Sequence, residues 1–579
     1  MAVALRPLSG GAGPAPARPF AARRLRPLRA VPALTLALFL GPIAAGLAWT
    51  VLPAFGWLPE LGGTRPSLEP WRALLAAPEL PRAVVLSLTS GLAATALSFL
   101  IVVGVCAACH DRPLFAWLQR LLAPLLAVPH AALAMGLAFL LAPSGWLARL
   151  VSPWLTGWGL PPDIITVGDP AGLTLVLALV VKETPFLLLM TLAALSHVPA
   201  RRTLTVARTL GYAPRQAWLK AVLPQVYPQI RLPVYAVLAY ALSVVDMSLI
   251  LGPGTPPPLA PLLLRWFNDP DLSLRFPASA GALLQLALVG AAALAWYGGE
   301  RLVARLARPW LGAGGRAARR GPDLAAAGAA AVVGALGVLS LAALALWSVA
   351  GAWRFPAALP ASWTLDTWLG REAALVWPLG TALLAGVAST AVALLLAVGC
   401  LENEQREGLH VSSRGLWLLY APLIAPQISF LFGVQVLLVR LGLDGGWLAL
   451  VWSHLLFVLP YVFLSLAEAW RALDPRYART ALCLGASPAR VLWRVKLPIL
   501  LGPVATAAAV GFAVSLAQYL PTLFAGGGRF ATLTTEAVAL ASGGDRRTAA
   551  VYGMAQTVLP LLAFALAVAV SARARRRAR

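Results

Sequence analysis

Apolar residues in this chain come in long runs, and the polar residues gather between them. The runs lie near 31–56, 83–109, 117–142, 170–196, 231–252 and 278–300, then near 323–352, 373–401, 415–440, 447–470, 501–525 and 548–571. Each reaches the length that a helix needs to cross the hydrocarbon of a bilayer, about twenty residues. No water is present there to satisfy backbone groups, so such runs predict helices. Alternation with period two is absent, which argues against a membrane β-barrel. The pattern predicts an all-α polytopic membrane protein of about twelve transmembrane helices, six in each half. The first run has small residues near Ala45 and Ala48, as a cleaved leader would. Its length and the long basic arm before it favour a retained helix.

One polar segment occurs twice. Residues 207–224 read ARTLGYAPRQAWLKAVLP and residues 481–498 read ALCLGASPARVLWRVKLP, identical at six of eighteen positions. Gly211 and Gly485 each stand thirteen residues before a proline, Pro224 and Pro498, and three before another, Pro214 and Pro488. The duplication extends into the apolar runs. SGLAATALSFLIVVG (90–104) aligns with AGVASTAVALLLAVG (385–399), matching Gly91 with Gly386, Thr95 with Thr390 and Gly104 with Gly399. Small residues at such places allow close packing of membrane helices. Before each polar segment a run carries Pro185-Phe186 or Pro460-Tyr461, and after it a run ends in Gly252-Pro253-Gly254 or Gly526-Gly527-Gly528. Six helices return the chain to the same side, so the halves are parallel repeats.

Charge then orients the chain. The formal net charge of +24 invites a nucleic-acid reading, but the arginines cluster at the ends of apolar runs and no soluble module displays a basic patch. The cytosolic segments are assigned as 1–30, 110–116, 197–230, 301–322, 402–414, 471–500 and 572–579. One holds Arg201, Arg202, Arg208, Arg215 and Lys220; another holds Arg301, Arg305, Arg308, Arg316, Arg319 and Arg320; the last ends in Arg579. The opposite loops mix signs, with Glu60, Glu69, Arg72 and Glu79 in one and Arg265, Asp269, Asp271 and Arg275 in another. Both termini are therefore expected in the cytosol. Four cysteines are too few for a disulfide framework. Cys106, Cys109 and His110 spell the haem-attachment pattern CxxCH, but on the cytosolic side, so they are read as packing residues at a helix end, like Cys400 and Cys483.

The twin segment predicts a short amphipathic helix lying along the membrane. In the second copy Ser487 caps it and Pro488 opens it. Val491, Leu492 and Val495 then share one face, Arg490, Arg494 and Lys496 take the others, and Leu497-Pro498 stops the helix. The first copy repeats this with Pro214, Ala217, Trp218, Ala221 and Leu223-Pro224, with Ala213 in place of the capping serine. Gly211 and Gly485 allow a sharp turn before each helix. Such a helix rests on lipid headgroups or docks a cytosolic partner. Its duplication at fixed spacing favours docking of a two-fold partner.

With its Gly and terminal Leu-Pro, the segment resembles the EAA loop of binding-protein-dependent ABC importer permeases. The match covers about 83–300 and 373–570, and two halves fused in one chain resemble the ferric-iron and thiamine type and a nearby uncharacterised bacterial permease group. The resemblance implies the type I ABC importer permease fold in a bacterial inner membrane. It implies docking on a dimer of ATP-binding subunits through Ala207, Gly211, Pro214, Trp218, Leu223 and Pro224 in one copy. In the other copy the docking residues would be Ala481, Gly485, Pro488, Leu492, Leu497 and Pro498. It further implies a periplasmic or extracellular solute-binding protein and a small solute, with no cofactor, metal or nucleic acid. The family's acidic residue would fall six positions before the Gly, where this chain has Thr205 and Arg479, so a salt bridge from that position is not expected. The domains are then a basic arm 1–30, a first membrane helix and outer loop 31–82, permease half 1 at 83–300 and a basic linker 301–322. A seventh membrane helix and outer loop 323–372, permease half 2 at 373–571 and a basic tail 572–579 follow.

The chain's three lysines, Lys182, Lys220 and Lys496, are followed by Glu183, Ala221 and Leu497 rather than by the Ser or Thr that a P-loop needs. ATP hydrolysis is therefore expected in a partner, and the chain is not read as an enzyme. The alternative is an ion-coupled secondary transporter, which also has two six-helix halves. Asp111-Arg112 faintly resembles the loop motif of that class, but the basic cluster that should follow is missing. Ionisable groups in lipid are costly unless paired or hydrated. Lys182 and Glu183 are read as a buried polar contact, and Asp246 as a pathway residue that the repeat sets opposite Gln518 and Tyr519.

Overall fold

The computed structural model describes residues 27–110, 112–314, 316, 323–370, 372–409, 413–541 and 543–578. Most of the basic arm, Asp111, Arg319, Arg320 and Arg579 lie outside the described residues. The principal helices of the first half are α1 (Val31–Ala54), α2 (Leu80–Cys109), α3 (His130–Leu141), α4 (Leu173–Ser196), α5 (Leu223–Ser243) and α6 (Arg275–Gly312). Those of the second are α7 (Asp323–Ser348), α8 (Glu372–Glu407), α9 (Ile428–Arg440), α10 (Trp447–Arg471), α11 (Leu501–Leu516) and α12 (Arg546–Ala578). The fold is all-α. Among the described residues the strands are Trp57–Leu58 and Gly63–Thr64, paired with each other.

Nine of the described helices are long and apolar enough to cross a membrane, or eleven spans if each of two bent pairs is one. The count falls short of twelve at the run 231–252. Its helix, α5, begins eight residues earlier than the apolar run and carries Gln225, Gln229 and Arg231 with Pro224, Pro228 and Pro233. Four runs expected to be continuous are broken, at matching places in the two halves. The run 117–142 divides between the turn Ala123–Leu126 and α3, at Val128-Pro129. The run 415–440 divides with a bend of 104° at Ala425-Pro426. A residue before proline is disfavoured in the helical region, so each helix stops there. The runs 231–252 and 501–525 divide at Val244-Val245 and at 517–519, giving the short helices Asp246–Leu251 and Leu520–Gly526.

The packing exchanges helices between the halves. α1 lies against α9 and α8 of the second half and α6 of its own, and α7 lies in the matching way against α3 and α2 of the first half and α12 of its own. One core therefore joins α2 to α5 with Ala330 and Val333 of α7 and Ala549 and Ala550 of α12. The second joins α8 to α10 with Phe39 and Ile43 of α1 and Ala278 and Ala280 of α6. The aligned glycines sit at these crossings. A Cβ on Gly104 would meet Ala326 of α7 at 2.7 Å, and one on Gly399 would meet Val31 of α1 at 2.8 Å. Gly91 likewise faces Leu242 of α5, and Gly386 faces Phe512 of α11. Lipid offers no hydrophobic drive between helices, so close backbone approach at small residues is what holds such crossings. Cys106 and Cys109 are buried in the first core, as packing residues would be.

Candidate coupling segments and central cavity

Each twin segment folds as a helix, a tight turn and a second helix. Ala200–Thr209 ends at Leu210, and Gly211 follows with φ +85°; Pro475–Cys483 ends at Leu484, and Gly485 follows with φ +80°. The backbone N–H of Tyr212 donates to Ala207 O at 3.1 Å and that of Gly211 to Arg208 O at 2.9 Å. In the second copy Ala486 N–H donates to Ala481 O and Gly485 N–H to Leu482 O, both at 3.0 Å. This is the glycine-ended cap that satisfies the last carbonyls of a helix, and it needs the left-handed backbone that glycine adopts without strain. Ser487 caps the following helix as expected, its Oγ accepting from Arg490 N–H at 3.3 Å, while Ala213 makes no side-chain cap bond.

Two sequence expectations change here. Leu223-Pro224 and Leu497-Pro498 do not stop the short helices. A five-residue π turn, Trp218–Val222 or Leu492–Lys496, runs directly into a helix that starts at each leucine. Proline cannot donate to the preceding turn and its ring crowds a carbonyl there, and the wider π turn makes room for both defects. The second copy then bends by 78° at Leu500 into α11. Lys496, expected on a polar outer face, is buried. Its ammonium lies 2.7 Å from Glu402 Oε2 and 2.6 Å from Gln405 Oε1 of α8.

Of the docking residues named from sequence, Gly211, Pro214, Pro224, Gly485, Pro488 and Pro498 are exposed. Leu223, Ala481, Leu492 and Leu497 are half-buried. Ala207 and Trp218 are buried in the first core and brace the segment against the bundle instead of meeting solvent. Sequence reasoning missed the exposed apolar side chains on the turns: Val206 and Leu210 in the first copy, Leu482 and Leu484 in the second, with Leu484 83% exposed. Leu210 and Leu484 were legible, because the leucine before each Gly is one of the six identities.

Between the halves lies a cavity of about 280 Å³. Asp246, Gln518 and Tyr519, paired from the repeat, all line it, as do Lys182 and Glu183. Phe186 and Tyr461, the aromatic partners of Pro185 and Pro460, face it from opposite halves. Its walls include the two helix breaks at 244–245 and 517–519. Irregular backbone at membrane depth is tolerated where it lines such a cavity. His130 was missed by sequence reasoning. It opens α3, its Nε2 is 3.8 Å from Glu183 Oε1, and its ring lies 4.7 Å from that of Tyr240. Among the described residues no group of three or more His, Cys, Asp or Glu is placed to hold a metal ion.

No family model matches the chain. A relative matched over most of both chains decides the matter. The chain is 36% identical over 516 residues to the inner membrane ABC transporter permease protein YnjC of Escherichia coli, an alignment that spans 87% of this chain and 91% of that protein. The chain belongs to the ABC transporter permease family. Over 184 residues, 29% of this chain and 67% of the relative, it is 34% identical to the molybdenum transport system permease protein ModB of Mycobacterium tuberculosis. Over 110 residues, 19% of this chain and 42% of the relative, it is 28% identical to the spermidine/putrescine transport system permease protein PotC of Escherichia coli.

This ABC permease holds its broken helices by a device that recurs in both halves. Where α5 ends, Gln285 of α6 donates its Nε2 to Leu242 O at 3.1 Å. Where α11 ends, Thr534 Oγ1 donates to Leu516 O, and Gln556 of α12 donates to Thr534 Oγ1 at 2.5 Å. Both glutamines are buried. The terminal carbonyls of a helix have no intrahelical donor, and in lipid no water replaces one. Lys182 does the same at the third break. Its ammonium donates to Leu125 O at 3.1 Å and to Val128 O, gathering the carbonyls of the turn before α3. The reading of Lys182 as a buried polar contact is thus matched by its geometry.

Proposed function

We propose that this ABC permease is the membrane subunit of an ATP-driven, binding-protein-dependent importer. Both termini lie in the cytosol, and the two turns at Gly211 and Gly485 seat in a dimer of ATP-binding subunits. Closure of that dimer on ATP draws the turns together, and the halves rock between inward and outward access around the central cavity. A solute-binding protein on the outer side delivers a small solute, which passes between Asp246 on one wall and Gln518 and Tyr519 on the other. The halves bounded at 83–300 and 373–571 carry one docking turn each.

The observation that supports this most is the likeness of the two turns. They share one hydrogen-bond pattern, one positive-φ glycine and one exposed leucine, on sequences that are otherwise mostly different. Packing alone would not keep a leucine 83% exposed beside Gly485. A tagged full chain should therefore capture an ATP-binding subunit of the ABC type, the ATPase, from membranes of its native host. The pair Leu210→Asp and Leu484→Asp should abolish that capture while the protein still elutes as a single species. Undiminished capture by the double variant, or solute uptake by the wild-type chain alone on an ion gradient, would refute the docking reading.

A further inference from the structure

Glu183 is the one carboxylate of the central cavity whose surroundings do not account for it. Its side chain is only 7% exposed. Among the described residues its carboxylate makes no side-chain hydrogen bond, and the basic group within 4 Å of it is His130, Nε2 at 3.8 Å, charged only if protonated. Lys182 is adjacent in sequence, but successive residues of a helix point apart. The Lys182 ammonium is directed onto the carbonyls of Leu125, Leu126 and Val128; it acts on Glu183 and Asp246 through space but lies beyond 4 Å of either carboxylate. Asp246, also buried, is the second carboxylate on the cavity wall, with the Tyr240 hydroxyl beside it. Two carboxylates against one ammonium leave the cavity one positive charge short when His130 is neutral. A buried charge of this kind is costly unless a partner completes it.

The rest of the wall says what kind of partner. Tyr240, Tyr461, Tyr519, Phe186 and Phe457 all line the same space. Aromatic faces attract organic cations, and desolvation strengthens that attraction. His130, Glu183 and Asp246 do not converge as a metal-binding group. We propose that the central cavity recognises a small organic cation, its ammonium paired with Glu183 and flanked by aromatic faces. The proposal deepens the importer reading and rests on it for the route, because the cavity lies between the halves.

Full-length protein in lipid nanodiscs, with choline and putrescine as probes, tests it. At least one of the two should bind saturably by calorimetry, and the neutral carbon isostere of choline should not. Glu183→Gln, which keeps the side-chain shape, should weaken the bound cation about tenfold or more, the scale of one lost charge-assisted contact. Asp246→Asn should weaken it by less. Unchanged elution and unchanged capture of the ATPase show that Glu183→Gln is folded. Failure of both cations to bind, equal binding of the neutral isostere, or full affinity in Glu183→Gln overturns the proposal. If the ATPase is captured and neither cation binds, the cavity assignment falls alone. If a cation binds but the wild-type chain captures no ATPase, the importer reading falls and the cation site stands.

Discussion

Lys496 and Glu402 carry the largest single electrostatic commitment of the second coupling segment. Their side chains are 4% and 2% exposed, at 2.7 Å from each other. Arg406 Nε reaches the other oxygen of Glu402 at 2.6 Å, and its second nitrogen donates to Pro488 O at 3.0 Å. The π turn before Leu497 is thereby tied to the end of α8. At the corresponding place in the first copy Val222 is buried instead, and Lys220 leans outward to Ala313 O at 2.7 Å, with Trp310 beneath it at 4.8 Å. Removing one member of a buried pair strands the other, which costs about 3–5 kcal/mol, whereas replacing both by apolar groups of like volume is close to neutral. Glu402→Ala should therefore lower the thermal midpoint sharply. The pair Glu402→Leu with Lys496→Met should recover most of the loss. A midpoint unchanged in Glu402→Ala would show that the pair is solvated and inessential.

At the scale of elements, the four breaks in the apolar runs are where the sequence pattern and the fold part company. Hydropathy reads 231–252 and 501–525 as unbroken, because Val244, Val245 and Ala517 are as apolar as their neighbours. What makes a break tolerable there lies some forty residues further on, in Gln285 and Gln556, each a lone amide in an apolar run. Gln285→Leu should leave Leu242 O without a donor, a penalty of about 1–3 kcal/mol. Exchange of backbone amides around 244–246 should rise with it. Protection there equal to wild type would mean that the break does not depend on α6. The legibility of the chain follows from range. The helices, the twin turns, the Ser487 cap and the packing glycines depend on nearby residues or on the repeat, and the sequence shows them. The burial of Trp218, the pairing of Lys496 and the place of His130 depend on distant helices, and no local pattern reports those. Asp246 stood out as a charge in an apolar run that the repeat sets against Gln518 and Tyr519; Glu183 was seen, but not that the Lys182 ammonium turns to the carbonyls before α3.

In the whole molecule, the exchange of first helices decides what can stand alone. α1 opens the first half in sequence, yet Phe39 and Ile43 are buried in the core of the second, and Val31 fills the space beside Gly399. α7 repays this with Ala330 and Val333 in the first core. The last helices cross over in the same way, Ala278 and Ala280 of α6 into the second core and Ala549 and Ala550 of α12 into the first. Neither six-helix half can complete its own core, because each lacks two helices that its partner contributes. The linker between α6 and α7, by contrast, joins two helix ends that make their contacts elsewhere, and loop closure adds little once the helices are exchanged. Expressed alone, residues 1–314 should aggregate or be degraded, and so should residues 323–579. Expressed together as two chains, they should assemble into a complex that elutes like the intact protein. It should capture the ATPase through both turns, since each fragment carries one. A stable, monodisperse first fragment in isolation would show that the exchanged helices are dispensable to its core. The two halves would then be separate bodies held by their linker rather than one interlocked membrane bundle.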